Sequence, residues 1–295
     1  MSEFRIDALL PQEMATRAEY LGVRKAEMPF LKMFMLSVLA GAFISLGAIF
    51  STTVSAGSMP IADPAGMVAF NTGLPYGVIR LLSGLVFSLG LILVIVSGAE
   101  LFTGNNLIVM AWANGKVSTL ALLRNWAVVY LGNFVGSIGT VVLMFFTKQY
   151  TFGANAIGIT ALRIGVSKCD FTFIQAVALG TLCNALVCLA VWMTFSARSV
   201  TDKIFAILFP ITAFVAAGFE HSIANMYFIP YALFIKGFNP QFTAAVANQV
   251  PGLEKLTWQA FFVNNLIPVT VGNIIGGAVL VAAVYWAIFL RHSES

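Results

Sequence analysis

The chain has 295 residues, of which only 9% are charged and 59% apolar, with a mean hydropathy of +0.91; soluble globular proteins carry roughly a quarter charged residues, so that class is excluded. Uncharged runs such as Met33 to Ala62 and Leu256 to Leu290 exceed the ~20 residues that cross a bilayer as a helix, and their continuous hydrophobicity excludes a transmembrane barrel of alternating ~10-residue strands. The net charge of +4 is scattered at the ends of these runs, which suits lipid headgroups and forms no nucleic-acid surface.

In chain order, residues 1 to 29 mix both signs of charge, with Pro11 where a helix can begin and Met14, Ala18 and Leu21 at helical spacing. They predict a short amphipathic helix at the membrane surface. They lack the order of basic end, apolar core and cleavage site that marks a signal peptide, so they are expected to stay on the mature protein. Glu13, Glu19 and Glu27 beside Arg17, Arg24 and Lys25 suit either a pH-sensitive cytoplasmic flap or a passive surface helix.

The first span runs from Leu31 to Ser55, followed by a Gly- and Pro-rich loop to Tyr76 that carries Met59, Ile61, Met67, Val68 and Phe70 and is too apolar to be floppy. Leu81 to Ala99 forms a second span that stops at Glu100, and fifteen more uncharged residues reach Gly115, so this span is interrupted. Asn125 to Thr147 is the third span, and Lys148 to Asp170 reads as a polar, Gly-containing connection with Arg163 and Lys168. Phe171 to Ala197 is the fourth. Ile204 to Phe219 is broken at Glu220 and His221 and resumes from Ser222 to Ile235 as the fifth, and Leu256 to Leu290 is the sixth.

An internal repeat organises these spans. Gly132-Asn-Phe-Val-Gly136 in the third recurs as Gly272-Asn-Ile-Ile-Gly276 in the sixth, and Gly98, Glu100 and Asn105 at the first break match Gly218, Glu220 and Asn225 at the second. Three spans per half make the halves inverted, and paired interruptions in inverted halves point to a translocation site near the midplane. With the amino terminus inside, ten Lys and Arg fall on the cytoplasmic side and six on the other, which places both termini in the cytoplasm and leaves Lys168 on the poorer side.

An ionisable group in hydrocarbon costs about 2.5 kcal/mol or more, so Glu100, Glu220 and His221 need partners or water. The glutamates are expected to accept hydrogen bonds from backbone N–H groups freed at their own breaks, with Asn105 and Asn225 serving the same gaps. Asn133 and Asn273 either bond to the broken helices or line the pathway. Gly132, Gly136, Gly272 and Gly276 give the spacing for close helix contact. His221 is different, because Leu101 holds the matching position and symmetry does not require it. His292 lies in the tail and Cys169, Cys183 and Cys188 form no Cys-x-x-Cys pair, so neither haem nor zinc is called for and no cofactor is expected. A channel fits best. A pore for water, glycerol or ammonia would also suit one histidine in an apolar lumen, whereas an enzyme using His221 with Glu220 lacks a nucleophile motif or metal cluster.

Four strings, Ala99-Glu-Leu-Phe-Thr103, Leu182-Cys-Asn-Ala-Leu-Val-Cys-Leu-Ala-Val-Trp192, Gly218-Phe-Glu-His-Ser-Ile-Ala-Asn-Met226 and Val271-Gly-Asn-Ile-Ile-Gly276, make the chain resemble the formate/nitrite transporter family over nearly its whole length, its formate-conducting members above all. The resemblance implies an all-α, aquaporin-like fold of six transmembrane helices in two inverted three-helix repeats, assembled in the bacterial inner membrane as a homopentamer surrounded by lipid, with one pore per protomer. It divides the chain into a cytoplasmic segment at 1–29, a channel domain at 30–291 and a cytoplasmic tail at 292–295. It implies that His221 is the central histidine with Thr103 as its partner, that Leu101 and Phe102 lie close to the path, and that Phe87, Leu91 and Phe214 form apolar slits with Val187 nearby. Lys168 would draw anions to the outer vestibule, with Asn184 near it, and Glu220 and Asn273 would border the path. The function implied is bidirectional, proton-linked passage of formate. Nitrite, hydrosulfide or lactate are alternatives on the same scaffold, and residues 1 to 29 offer a surface for a cytoplasmic formate-metabolising partner that the sequence does not identify.

Overall fold

Among the described residues of the computed structural model, six helices are long and apolar enough to cross a membrane. The structure describes residues 8–56, 60–62, 68–71 and 73–291, so the tail at 292–295, residues 1–7, Met59 and Met67 lie outside the described residues. A surface helix α1 (Pro11–Ala26) leads into α2 (Phe30–Ser55), a two-stranded antiparallel hairpin of β1 (Pro60–Ala62) and β2 (Val68–Asn71), and α3 (Tyr76–Ser97). After the first break come a 3-10 turn at Gly104–Ile108, the short α4 (Val109–Ala113), and α5 (Thr119–Phe146). The second half runs through α6 (Ala156–Cys169), α7 (Phe173–Thr194) and α8 (Val200–Ala217), then past the second break into α9 (Ser222–Phe238) and α10 (Pro240–Val246). It ends in one long helix, Trp258–Phe289, widened by π-helical segments at Phe261–Leu266 and Ile275–Ala283.

The Gly-Asn-x-x-Gly strings set the helix pairs. Gly132 and Gly136 lie on Ser37 and Val38 of α2, where a Cβ would overlap the neighbouring helix; Gly272 and Gly276 lie in the same way on Val177 and Thr181 of α7. Small residues let the backbones approach closely, which is the main source of helix association when lipid is as apolar as the side chains. Exposed Leu, Phe and Ile cover the outside, among them Leu120, Leu143, Phe146 and Ile174.

Both breaks are made by the same device. α3 ends at Gly98 with φ +76° and α8 at Gly218 with φ +78°, a left-handed conformation that glycine adopts without a Cβ clash and that turns the chain out of the helical path.

Two segments differ from expectation. The connection between the third and fourth spans contains the fourteen-residue α6, because Ile159, Leu162, Val166 and Cys169 recur at helical spacing and bury one face against α9. The apolar face of α1 is covered by protein: Met14, Ala15, Ala18, Gly22 and Ala26 are buried, and Gly22 meets Ile108 and Ala111 beyond the first break. Polar contacts fasten it there. Glu19 accepts from Asn114 and from Lys116, each at 2.6 Å, and the Ser196 hydroxyl donates to the Leu9 carbonyl at 2.9 Å.

Candidate functional site

Each break is closed by a lysine, a glutamate and three asparagines. At the first, Lys25 Nζ donates to Glu100 Oε1 at 2.8 Å and Asn105 Oδ1 at 2.9 Å, while Asn105 Nδ2 donates to Glu100 Oε2 at 2.8 Å and Asn125 Oδ1 at 2.9 Å. At the second, Lys168 Nζ donates to Glu220 Oε1 at 2.7 Å, and Asn225 Nδ2 donates to Glu220 Oε2 and Asn265 Oδ1, both at 2.7 Å. The glutamates therefore accept from lysine and asparagine side chains, not from the freed backbone amides as the sequence suggested.

One backbone amide at each break goes to a span asparagine. Asn133 Oδ1 accepts from Phe102 N at 3.0 Å while its Nδ2 donates to the carbonyls of Ser37 and Glu100; Asn273 Oδ1 accepts from Ser222 N at 2.9 Å while its Nδ2 donates to Gly180 and Glu220. One side chain thus ties each break to two helices, and Asn273, with all these groups committed, is structural in its bonding. A buried donor left unmade would cost about 1–3 kcal/mol, so the polar breaks are tolerable in an apolar interior.

Lys25 is a functional candidate that the sequence reading passed over. A signal for it existed: Lys25 and Lys168 each stand five residues ahead of the first residue of the following helix, Phe30 or Phe173, so the repeat extends upstream into α1 and α6. Burial pushes the Cys169 thiol up to about 11, so it stays neutral beside Lys168.

Between the breaks the symmetry fails. His221 is the N-cap of α9, and its Nδ1 accepts from Ala224 N at 3.1 Å, which makes Nε2 the protonated nitrogen of the neutral ring. Nε2 is 3.0 Å from Thr103 Oγ1 of the first break. Thr103 is itself held by α7, whose Asn184 Nδ2 and Cys188 Sγ both donate to its carbonyl at 3.3 Å. Asn184 also donates to Asn273 O at 2.7 Å, so its partners are these carbonyls and not Lys168.

Two cavities flank this contact. One, on the side of α1 and called the inner cavity, is about 240 Å³ and is lined by Leu91, Leu101, Glu100, Lys25, Arg17 and Lys203. The other, on the side of α6 and called the outer cavity, is about 370 Å³ and is lined by Phe87, Phe214, His221, Glu220, Lys168 and Arg80 among others. Phe214 stacks on His221 with ring centres 5.9 Å apart and meets Phe87 edge-on at 5.8 Å. Leu91, Leu101 and Val187 are buried, and Phe102 packs edge-on against Tyr130 and Trp126.

Two cavities that carry charged side chains, separated by buried aromatic and aliphatic side chains with a hydroxyl and an imidazole at the divide, define a membrane transport protein. Residues 12–287 match the family model described as formate/nitrite transporter, and the chain belongs to that family. It is 45% identical over 290 residues to the formate channel FocA of Escherichia coli (strain K12), covering 98% of this chain and 97% of that protein. It is 41% identical over 276 residues to the formate channel FocA of Haemophilus influenzae, covering 93% and 92%. A solved structure described as a pentameric formate channel with formate bound superposes with a TM-score of 0.78 at 46% identity, over 89% of this chain and 98% of that one. An FNT family ion channel superposes at 0.74 with 26% identity, over 94% and 98%.

Proposed function

We propose that the chain conducts formate across the bacterial cytoplasmic membrane as a homopentamer, each protomer holding its own pore and both termini lying in the cytoplasm. The Thr103–His221 contact between the two cavities carries this reading, supported by relatives that are formate channels over nearly the full chain. A carboxylate entering the slit of Phe87, Leu91 and Phe214 loses its hydration, and the idealised cost of moving an ion into low dielectric is of order 20 kcal/mol. The pore has to replace that hydration or remove the charge. In the closed contact His221 Nε2–H is donated to Thr103 Oγ1, which leaves Thr103 Oγ–H to donate to the anion, and the anion gains the imidazole N–H as a second donor only by displacing that contact.

Proton coupling has a stated geometric requirement. Because Ala224 N–H occupies Nδ1, a second proton on the ring means breaking the N-cap of α9, a loss of about 0.5–2 kcal/mol by the usual worth of such caps. Acid-linked transport therefore proceeds with the cap open, and neutral-pH conduction with it closed. Lys25 and Lys168, at the inner and outer mouths, hold the broken-helix glutamates as they border the path.

The test is uptake of formate, nitrite, lactate and hydrosulfide by liposomes of one preparation, with current recorded in parallel. Formate flux well above that of protein-free vesicles is expected. Nitrite flux without formate flux would move the chain to another branch of the family, and solute-driven swelling with neither anion moving would make it a neutral-solute pore.

A further inference from the structure

The described residues lining the outer cavity include three cations, Arg80, Arg163 and Lys168, and one carboxylate, Glu220. Lys168 is closed on Glu220 at 2.7 Å, so the two charges largely cancel beyond their immediate surroundings. Arg163 is exposed to solvent, with its Nε–H donated to the Gln249 carbonyl. Arg80 is placed differently. From α3 it reaches the C-terminal end of α8, donating Nε–H to the Ala216 carbonyl at 3.3 Å and an Nη2–H to the Val215 carbonyl, and no carboxylate among the described residues is ion-paired with it.

That helix end is where an anion would meet resistance. The last carbonyls of a helix act as roughly half a negative charge, and those of α8 stand directly after Phe214 and before the Gly218 turn that leads to Glu220 and His221. A Cβ at Gly218 would lie 3.6 Å from Arg80 Nη2, so the guanidinium sits at the rim of the constriction itself. Its full, permanent charge exceeds the partial charge it covers. The antiparallel packing of α3 and α8 repeats the arrangement within: Lys203, near the start of α8, lines the inner cavity with Val94 and Gly98 at the end of α3.

We propose that Arg80 is a selectivity-determining cation of the pathway, cancelling the negative end of α8 and leaving the outer rim of the constriction positive toward a small monovalent anion. This rests on the formate reading above and deepens it, because it moves the net attraction from the paired Lys168 to a guanidinium with no ion-pair partner among the described residues.

The measurement is initial formate flux into liposomes at low substrate, at about 0.01 M and about 1 M salt, where the screening length falls from ~30 to ~3 Å. Arg80→Gln keeps a side-chain donor for the helix end and removes the charge; flux should fall about three- to ten-fold in low salt, with a narrower deficit in high salt. Arg80→Lys should stay within about two-fold of the parent protein, as expected for a charge effect. Wild-type flux for Arg80→Gln in low salt would overturn the proposal, as would a deficit that Arg80→Lys shares and salt leaves unchanged, since that would make Arg80 only a prop for α8. If Arg80→Gln fails to assemble by size exclusion, Arg80→Cys treated with a cationic or a neutral thiol reagent asks the same question: recovery with the cationic reagent alone supports the proposal and equal recovery overturns it. Cys169, Cys183 and Cys188 are buried, and the treated parent protein is the control. Nitrite is run beside formate. If nitrite passes and formate does not, the formate reading fails while the Arg80 effect is still read on nitrite; if neither passes, both fall.

Discussion

Nε2 of His221 and Oγ1 of Thr103 stand 3.0 Å apart at two positions where the repeat is broken, since Leu101 matches His221 and Ile223 matches Thr103. On the function proposed above, the anion meets the protein at these mismatches, because the symmetric polar residues are already spent on closing the helices. His221→Asn keeps a polar side chain that can cap α9 but cannot titrate between about pH 5 and 8. The pentamer should therefore survive in detergent while acid-driven formate import falls, read as uptake across that pH range; an unchanged pH profile would return His221 to a purely structural role. Thr103→Val removes the hydroxyl at constant shape and leaves the imidazole N–H without its buried partner. It should lower stability by about 1–3 kcal/mol and reduce formate flux at every pH, whereas His221→Asn acts most in acid.

The broken helix is the element that makes a polar path affordable in an apolar interior, and its two copies are closed by matching bonds. Lys25 belongs to α1, so this surface helix supplies the cation for the first break as α6 supplies Lys168 for the second. Lys25→Ala leaves the Glu100 carboxylate buried without its ion pair; because the lysine side chain is itself 33% exposed, the loss should fall near 1–3 kcal/mol, below that of a fully buried pair. Adding Glu100→Gln should recover much of the lost thermal stability, and no recovery in the double variant would show that Lys25 acts through packing. Deleting residues 1 to 28 removes the same lysine, so its effect should exceed that of Lys25→Ala by the apolar face of α1 and by the contacts of Glu19 with Asn114 and Lys116 and of Leu9 with Ser196. A flap that left the body freely would not behave this way.

At the scale of the whole molecule, six spans with ten basic residues on one side and six on the other predict both termini in the cytoplasm. A cysteine introduced in the connection at 148–170 should react with an impermeant reagent added outside the cell, and labelling only from inside would remove the inverted arrangement of the halves. Native mass spectrometry of the detergent-solubilised protein should give five chains of 31.7 kDa; a monomer that still conducts would separate the pore from the assembly.

The six spans and the positions of their two breaks followed from the sequence alone, because hydropathy, the Gly98 and Gly218 turns and the charge of Glu100 and Glu220 are properties of a few adjacent residues. The Gly-Asn-x-x-Gly repeat likewise announced close helix pairs, and the departure of His221 from symmetry pointed to the residue that meets Thr103 between the breaks. α6 was hidden because its buried face follows helical spacing within a stretch read by its polarity. The partners of the glutamates were hidden for a different reason. Lys25 is 75 residues from Glu100, Thr103 is 118 from His221, and Arg80 is 135 from Val215. Such pairs exist only once the helices have packed, since a hydrogen bond reaches about 3 Å and no local pattern records which donors the packing of glycine-faced helices will bring within that distance.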